Sequence, residues 1–186
     1  MKKTNIEEIL NNRRYDPNQD PPQNQTILTI GGRKVGSLQN LVTITGKQKN
    51  GKSRYISAFI SSGIIQSELF EIRLRTPHGR NRIGLFDTEQ SDFDFYRQMQ
   101  QIKEFCRLKD LPNNFDAFNT REDDPGIIVA MVSHYLEKHP DCSVIFIDGL
   151  LDLLSSFNDE RESKALINTI KRLTKIHNCL MIGVLH

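Results

Sequence analysis

The chain has 186 residues, of which 37% are hydrophobic and 26% are charged. This composition is typical of a single soluble globular domain, and no apolar run is long enough to cross a bilayer. The 25 basic and 23 acidic residues leave a net charge of +2, too small an excess to indicate nucleic-acid binding by charge alone. Three isolated cysteines without metal-ligand spacing, and the lack of an apolar signal core, favour a cytoplasmic protein with reduced, buried thiols.

The N-terminal part is predicted to precede the core as a separate arm and hairpin. Residues 4–14 have a helical pattern, which the proline-rich stretch after them ends, so residues 1–25 are predicted to be a helix and a linker arm. Residues 27–30 and 33–35 are short strand patterns around the turn Gly31-Gly32. They predict a small hairpin before the core.

Residues 26–186 alternate between strand and helix patterns, which predicts an α/β core with a parallel sheet and helices on both faces. The apolar strands are expected at 41–45, 83–86, 115–118, 144–148 and 179–185. The helices are expected from Lys52 onward and at 92–107, 126–138 and 159–177.

Three further expectations concern exposure and the end of the chain. The β-branched run at 41–45 is typical of a strand buried on both faces. The alternation at 70–75 predicts an inserted edge strand, and Arg73, Arg75, Arg80 and Arg82 are expected to lie on a solvated hairpin. The chain ends on an apolar strand without a following helix, so we expect a truncated product, with a natural edge strand as the alternative.

A phosphate-binding loop is the strongest motif. Gly46-Lys47-Gln48-Lys49-Asn50-Gly51-Lys52-Ser53 fits G-x-x-x-x-G-K-[ST] between a strand and a helix. Its glycines let backbone N–H groups converge on phosphates, and the helix adds the positive end of its dipole. Lys52 is expected to reach the β- and γ-phosphates and Ser53 to ligate Mg²⁺. Arg54, the next residue, is included among the nucleotide-binding candidates.

Two acidic residues complete the predicted site. Asp148 ends an apolar strand and is the candidate carboxylate for Mg²⁺, with a helix-capping role as the alternative. Glu89 lies just past the end of another strand and is the candidate base for hydrolysis. Asp87 is taken as a neighbour without a role, and Asp92 as the cap of the following helix.

These residues resemble the RecA-type ATPase core shared by recombinases and by ring helicases of the DnaB and RepA kinds. The resemblance lies in the approach Gly36–Gly46, in Asp87-Thr88-Glu89-Gln90-Ser91, in Ile147-Asp148-Gly149 and in Val184-Leu185-His186. It is closest to RepA-like AAA ATPases of bacterial mobile elements, phages and plasmids.

The resemblance implies a RecA-like fold, roles for the site residues, and the ligands and partners of the protein. It implies that Lys52 and Ser53 bind phosphate and metal, that Glu89 is the catalytic base, that Asp148 is the metal-side acid and that His186 senses the γ-phosphate. It implies ATP and Mg²⁺ as ligands and, in the intact protein, a homo-oligomeric ring such as a hexamer with single-stranded DNA as a partner. Family members continue past the sensor strand, so a DNA-facing loop and an arginine finger are implied there.

Several alternatives stay open from the sequence. A regulatory ATP switch acting on a protein partner and a small-molecule kinase are the competing functions; no arginine-rich lid follows the second strand of the core to favour the kinase. Asp152 is more readily explained as a cap of the following turn than as a site residue. In the segment Ser155–Arg161, Arg161 and Lys164 are more readily explained as a solvated helix start than as DNA contacts.

Overall fold

The computed structural model describes residues 6–20, 24–46, 51–154 and 159–185, and within these ranges the chain forms two sheets and five α-helices. The strands are β1 (Thr26–Ile30), β2 (Arg33–Ser37), β3 (Leu41–Thr45), β4 (Ile72–Leu74), β5 (Arg82–Asp87), β6 (Phe115–Asn119), β7 (Cys142–Asp148) and β8 (Leu180–Leu185). The helices are α1 (Ile6–Arg13), α2 (Lys52–Ile65), α3 (Asp92–Cys106), α4 (Pro125–Lys138) and α5 (Glu160–Ile176), with a 3-10 helix at Leu150–Leu153.

The larger sheet has five parallel strands in the order β3-β8-β7-β5-β6. Along β7, Val144 and Phe146 belong to a core cluster that includes Ile56 and Ile60 of α2. The intervening Ile145 and Ile147 belong to a second cluster, with side chains of α4 and α5. Because successive residues of a strand face opposite sides, this alternation confirms the predicted α/β architecture with helices on both faces.

The N-terminal hairpin is part of a second sheet. Strand β1 pairs antiparallel with β2 and, on its other side, with β4, giving the order β2-β1-β4. This confirms the hairpin and also the edge strand predicted within 70–75, whose middle residue Arg73 is exposed between two buried neighbours. The strand begins only at Ile72, because Phe70 and Glu71 have the left-handed φ angles of 51° and 63°. Helix α1 buries none of its residues.

The prediction that residues 41–45 are buried on both faces is wrong. None of the five residues of β3 is fully buried, because β3 is the first strand in the order of the five-stranded sheet and pairs there only with β8. Its apolar side chains are partly buried: Val42 and Ile44 pack against one core cluster, and Leu41 packs against the other. The three interior strands, β8, β7 and β5, are the buried ones.

The solvated hairpin predicted for the arginine cluster is also wrong for two of its members. Arg82, on β5, forms ion pairs with Asp116 at 2.6 Å and with Asp141 at 3.0 Å. The Arg80 guanidinium donates hydrogen bonds to four backbone carbonyls, those of Pro140, Cys142, His177 and Asn178. Both arginines therefore join chain segments at the amino ends of the parallel strands.

Two expectations about composition can be compared with the structure. The three cysteines are buried and form no disulfide. No helix in the part of the chain that the structure describes is long and apolar enough to cross a membrane.

Candidate functional site

The predicted site residues lie together at the carboxyl edge of the parallel sheet. Gly46 follows β3, while Asp87 and Asp148 are the last residues of β5 and β7 and are paired in register. Parallel strands end at the same edge, so three segments far apart in the chain meet there. Lys47, Gln48, Lys49 and Asn50 lie outside the described residues, as do His186 and residues 155–158.

The start of α2 has the features that an anion site needs. Gly51 is the N-cap residue of α2 and has a left-handed φ of 75°. As a glycine it supplies no side-chain acceptor for the first N–H groups of the helix, whose positive end attracts anions. Lys52, only 7% exposed, donates a hydrogen bond from Nζ to the Gly46 carbonyl at 2.5 Å. This bond therefore joins the first residue of α2 to the glycine that follows β3.

Asp148 is a fully buried carboxylate beside the start of α2. Burial is the main cause that raises its pKa to about 7, and the charges of Asp87 and Glu89 add to it. The nearby Ser53 side chain and the charge of Lys52 act in the opposite direction. Asp148 therefore lies close to the motif serine, as a shared metal site would need.

Glu89 projects from a loop that Asp87 holds in place. The buried Asp87 carboxylate accepts hydrogen bonds from the backbone N–H groups of Glu89 at 3.0 Å and Gln90 at 2.9 Å. Burial, followed by the charges of Asp152 and Asp87, raises the pKa of Glu89 to about 7, while Lys52 lowers it. Asp87, which the sequence analysis left without a role, is thus the residue that orients the loop.

Thr88 ties this loop to the end of β7. Its N–H donates to the Asp148 carbonyl at 3.0 Å, and its hydroxyl lies 2.6 Å from the Asp152 carboxylate. Asp152 thus contacts the Glu89 loop. Residues 155–158, which closely follow Asp152, lie outside the described residues, so its predicted capping role stays a prediction. Gly149 has a left-handed φ of 100°, and Thr88 and Asp152 occupy the space that a Cβ there would need.

Two more residues join the loop to α2. The Gln90 amide donates to Gln98 at 2.9 Å, and the Gln98 amide donates to the Ser53 carbonyl at 3.4 Å. The sequence analysis missed Gln98, although a polar residue within the apolar stripe of α3 was the available signal. It also assigned the cap of α3 to Asp92, whereas Ser91 is the N-cap and accepts from the Asp94 N–H. Asp92 accepts from Asn119 instead.

A cavity of about 570 Å³ opens beside Ser53 and Glu89. Two arginines line it, Arg97 from α3 and Arg121 from the segment after β6. Both arginines follow the second strand of the core, where no arginine-rich lid was predicted. The sequence gave no sign of a cluster because the two residues are 24 positions apart (121 minus 97), and only the fold brings them to one cavity. The arrangement can accommodate an anionic group next to Glu89.

The donor set fits Mg²⁺ held jointly with a ligand. Within the described ranges no group of three or more His, Cys, Asp or Glu side chains could hold a metal ion by itself. Mg²⁺ characteristically takes one or two protein oxygens and fills its other positions with phosphates and water. The Ser53 hydroxyl and the Asp148 carboxylate are such oxygens, and a cation there would offset the excess of carboxylates over the Lys52 ammonium.

Comparison with known proteins does not assign this site. No protein-family model matches the chain, and no curated protein matches it significantly.

Arg161 and Lys164, which were weighed as possible DNA contacts, lie exposed in the first turns of α5. A solvated helix start accounts for them without a ligand.

Proposed function

We propose that the chain is the ATP-binding, Mg²⁺-dependent ATPase core of a RecA-type protein. One observation carries the proposal: a buried lysine bonded to the Gly46 carbonyl lies at the same sheet edge as a serine close to a buried aspartate and a glutamate with a raised pKa. The lysine is required to bind a triphosphate, the serine and the aspartate to hold Mg²⁺, and the glutamate to hydrolyse the bound triphosphate. No other cluster among the described residues combines them.

The residues at the start of α2 bind the triphosphate. The N–H groups at the start of the helix and the Lys52 ammonium attract the phosphate oxygens, and Lys52 exchanges its bond to Gly46 for bonds to the β- and γ-phosphates. Ser53 and Asp148 would hold Mg²⁺. When bound, the ion neutralises charge on the β- and γ-phosphate oxygens.

Glu89 acts on the water that attacks the γ-phosphorus. It takes one proton from the water as the new P–O bond forms, and the bond between the γ-phosphorus and the bridging oxygen breaks with its electron pair going to ADP. Asp87 and Thr88 fix the loop that carries Glu89. A pKa of about 7 allows the carboxylate to accept and later release this proton near neutral pH.

The resemblance to ring helicases supports a wider role. We propose that the intact protein is a motor in the replication or mobilisation of DNA, assembled as a ring and acting on single-stranded DNA. His186 is proposed as the γ-phosphate sensor of that machine.

Binding and turnover can be tested separately. We expect Lys52→Ala to abolish measurable ATP binding in calorimetry, with Lys171→Ala, an exposed lysine of α5, as the matched control. Unchanged ATP affinity in Lys52→Ala would refute the phosphate loop.

We expect Glu89→Gln to keep ATP affinity while lowering the hydrolysis rate of the full-length protein by at least about 100-fold, the usual contribution of a general base. The control is Glu137→Gln on α4.

The cavity with Arg97 and Arg121 favours one alternative, a small-molecule kinase whose acceptor binds beside Glu89. A motor and a kinase differ in where the γ-phosphate goes. Stimulation of phosphate release by single-stranded DNA supports the motor. Transfer of ³²P from γ-labelled ATP to a small acceptor, without release of phosphate, would replace the motor by the kinase.

A further inference from the structure

A second cavity, of about 490 Å³, lies on another side of the phosphate loop. One wall is a face of α2 that begins at the loop's last glycine, and the other is the turn before β4. The residues that line it are Gly51, Arg54, Tyr55, Ala58, Phe70 and Ile72. It shares none of these residues with the cavity beside Glu89.

Two aromatic side chains at this cavity are unusually exposed. Tyr55 is 59% and Phe70 is 63% exposed, which leaves large apolar surfaces in water without cover from the described residues around them. Exposed rings beside a concave surface are characteristic of sites that bind a flat aromatic group. Arg54, next to Tyr55, adds a planar guanidinium that also stacks on rings.

The Phe70 ring is held in its exposed position by the fold. The turn that carries it is closed by two backbone hydrogen bonds between Leu69 and Ile72, of 2.8 and 2.9 Å. Its φ of 51° is left-handed, which an apolar L-residue adopts only at a cost. Behind it, the Phe105 ring packs edge-on at 5.3 Å between centroids. The ring is therefore preorganised, and little side-chain freedom is lost when a ligand stacks on it.

We propose that this cavity binds the nucleobase of the triphosphate, with Tyr55 and Phe70 stacking on its faces. The inference rests on the proposed function, because it is continuity with the phosphate loop at Gly51 that selects a nucleotide as the occupant. A nucleotide is an extended molecule. Its γ-phosphate end belongs beside Glu89, and its base must then leave the loop on a different side, where this cavity lies.

Affinity for ATP and for inorganic tripolyphosphate separates the base from the phosphates. We expect Tyr55→Ala and Phe70→Ala to weaken ATP binding by about five- to 100-fold, the range found when a stacking aromatic is removed. Tripolyphosphate should bind each variant within twofold of the wild-type value, because it has no base. Phe93→Ala on α3, an equally exposed phenylalanine outside the cavity, is the matched control and should change neither affinity.

A spectroscopic variant gives a readout that does not depend on losing affinity. The chain has no tryptophan, so Phe70→Trp introduces a single indole at the cavity. Stacking of a base should quench its fluorescence when ATP is added, whereas tripolyphosphate at saturation should not.

The outcomes distinguish the two proposals. If the wild-type chain binds neither ATP nor tripolyphosphate, the proposed function fails. If it binds both, but the ratio of the two affinities is the same in Tyr55→Ala, Phe70→Ala and wild type, and the indole fluorescence of Phe70→Trp does not respond to ATP, the phosphate loop stands and the base site is overturned. In that case the exposed rings serve another partner, such as a protein.

Discussion

Asp148 is a carboxylate whose surroundings oppose its ionisation. Its pKa of about 7 exceeds the ordinary value of 3.8, so the protonated form is favoured in the folded chain. Its contribution to stability is therefore fully present below pH 4 and is lost as the pH rises toward and through 7. The raised pKa of Asp148 thus makes this site a source of instability at neutral pH when no cation is bound, as expected of the proposed Mg²⁺ site.

This predicts a stabilising substitution at the site. In the absence of Mg²⁺ and nucleotide, we expect Asp148→Asn to raise the free energy of unfolding at pH 8 by roughly 2 kcal/mol. This is about half of what the pKa shift would give at about 1.4 kcal/mol per pKa unit. At pH 4.5 the gain should nearly vanish. Urea denaturation at both pH values measures it, with the exposed Asp110→Asn as control, and a variant less stable than wild type at pH 8 would contradict this account. The same variant should lose the Mg²⁺ dependence of ATP binding.

The sequence identified the residues of this site that belong to contiguous motifs. Lys52 and Ser53 were found because their spacing is fixed by the loop, and Asp148 and Glu89 because each follows an apolar strand. Their roles stay predictions. Thr88 could not be found in this way, because its partner Asp152 is 64 positions away and the contact exists only after β5 and β7 pair.

Helix α2 is in contact with both sheets at Gly63. A Cβ at Gly63 would lie 2.6 Å from Ile83 of the parallel sheet and 2.8 Å from Leu74 of the antiparallel one. The sequence could not predict why glycine stands there, because the second neighbour comes from a strand of a different sheet.

We therefore expect Gly63→Ala to destabilise the chain although alanine favours helix. Crowding in a packed core costs about 1–3 kcal/mol and the gain in helix propensity is about 1 kcal/mol, so the net loss should be about 1 kcal/mol, within a range of roughly 0–2 kcal/mol. Gly126→Ala on α4, where a Cβ meets nothing within 4 Å, should instead be neutral or stabilising. Thermal unfolding of the pair measures the contrast, and a stabilised Gly63→Ala would show that the two sheets are not packed on α2 as described.

At the level of elements, the strands and helices were predicted better than their arrangement. Alternating apolar runs gave all five parallel strands, but the local pattern of β3 gave no sign that it lies at the edge of the sheet. Order within a sheet depends on crossover connections and on contacts between distant segments. A run of β-branched residues is compatible with a central or a marginal position.

Across the whole molecule, the two edges of the parallel sheet have different roles. The carboxyl edge has the carboxylates and the start of α2, whereas at the amino edge Arg80 donates to four carbonyls from two connecting segments. Arg82 adds ion pairs to Asp116 and Asp141 at that edge. The candidate site and these stabilising contacts thus lie at opposite ends of the same strands.

The separation predicts that Arg80→Gln lowers stability and leaves ligand binding intact. Loss of hydrogen bonds from a charged donor should lower the free energy of unfolding by about 2–4 kcal/mol. The ATP affinity at a temperature where the variant is folded should stay within twofold of wild type. Arg75→Gln, an exposed arginine of the same cluster, is the control for stability. A large loss of ATP affinity in folded Arg80→Gln would mean that the edges are coupled.

The bonds of Thr88 have a mechanical consequence. They join the Glu89 loop to the end of β7 and, through Asp152, to the 3-10 helix Leu150–Leu153. Under the proposed function, the loop cannot shift on loss of the γ-phosphate unless these bonds break or the 3-10 helix moves with it. The Glu89 loop and the 3-10 helix would therefore move as one unit.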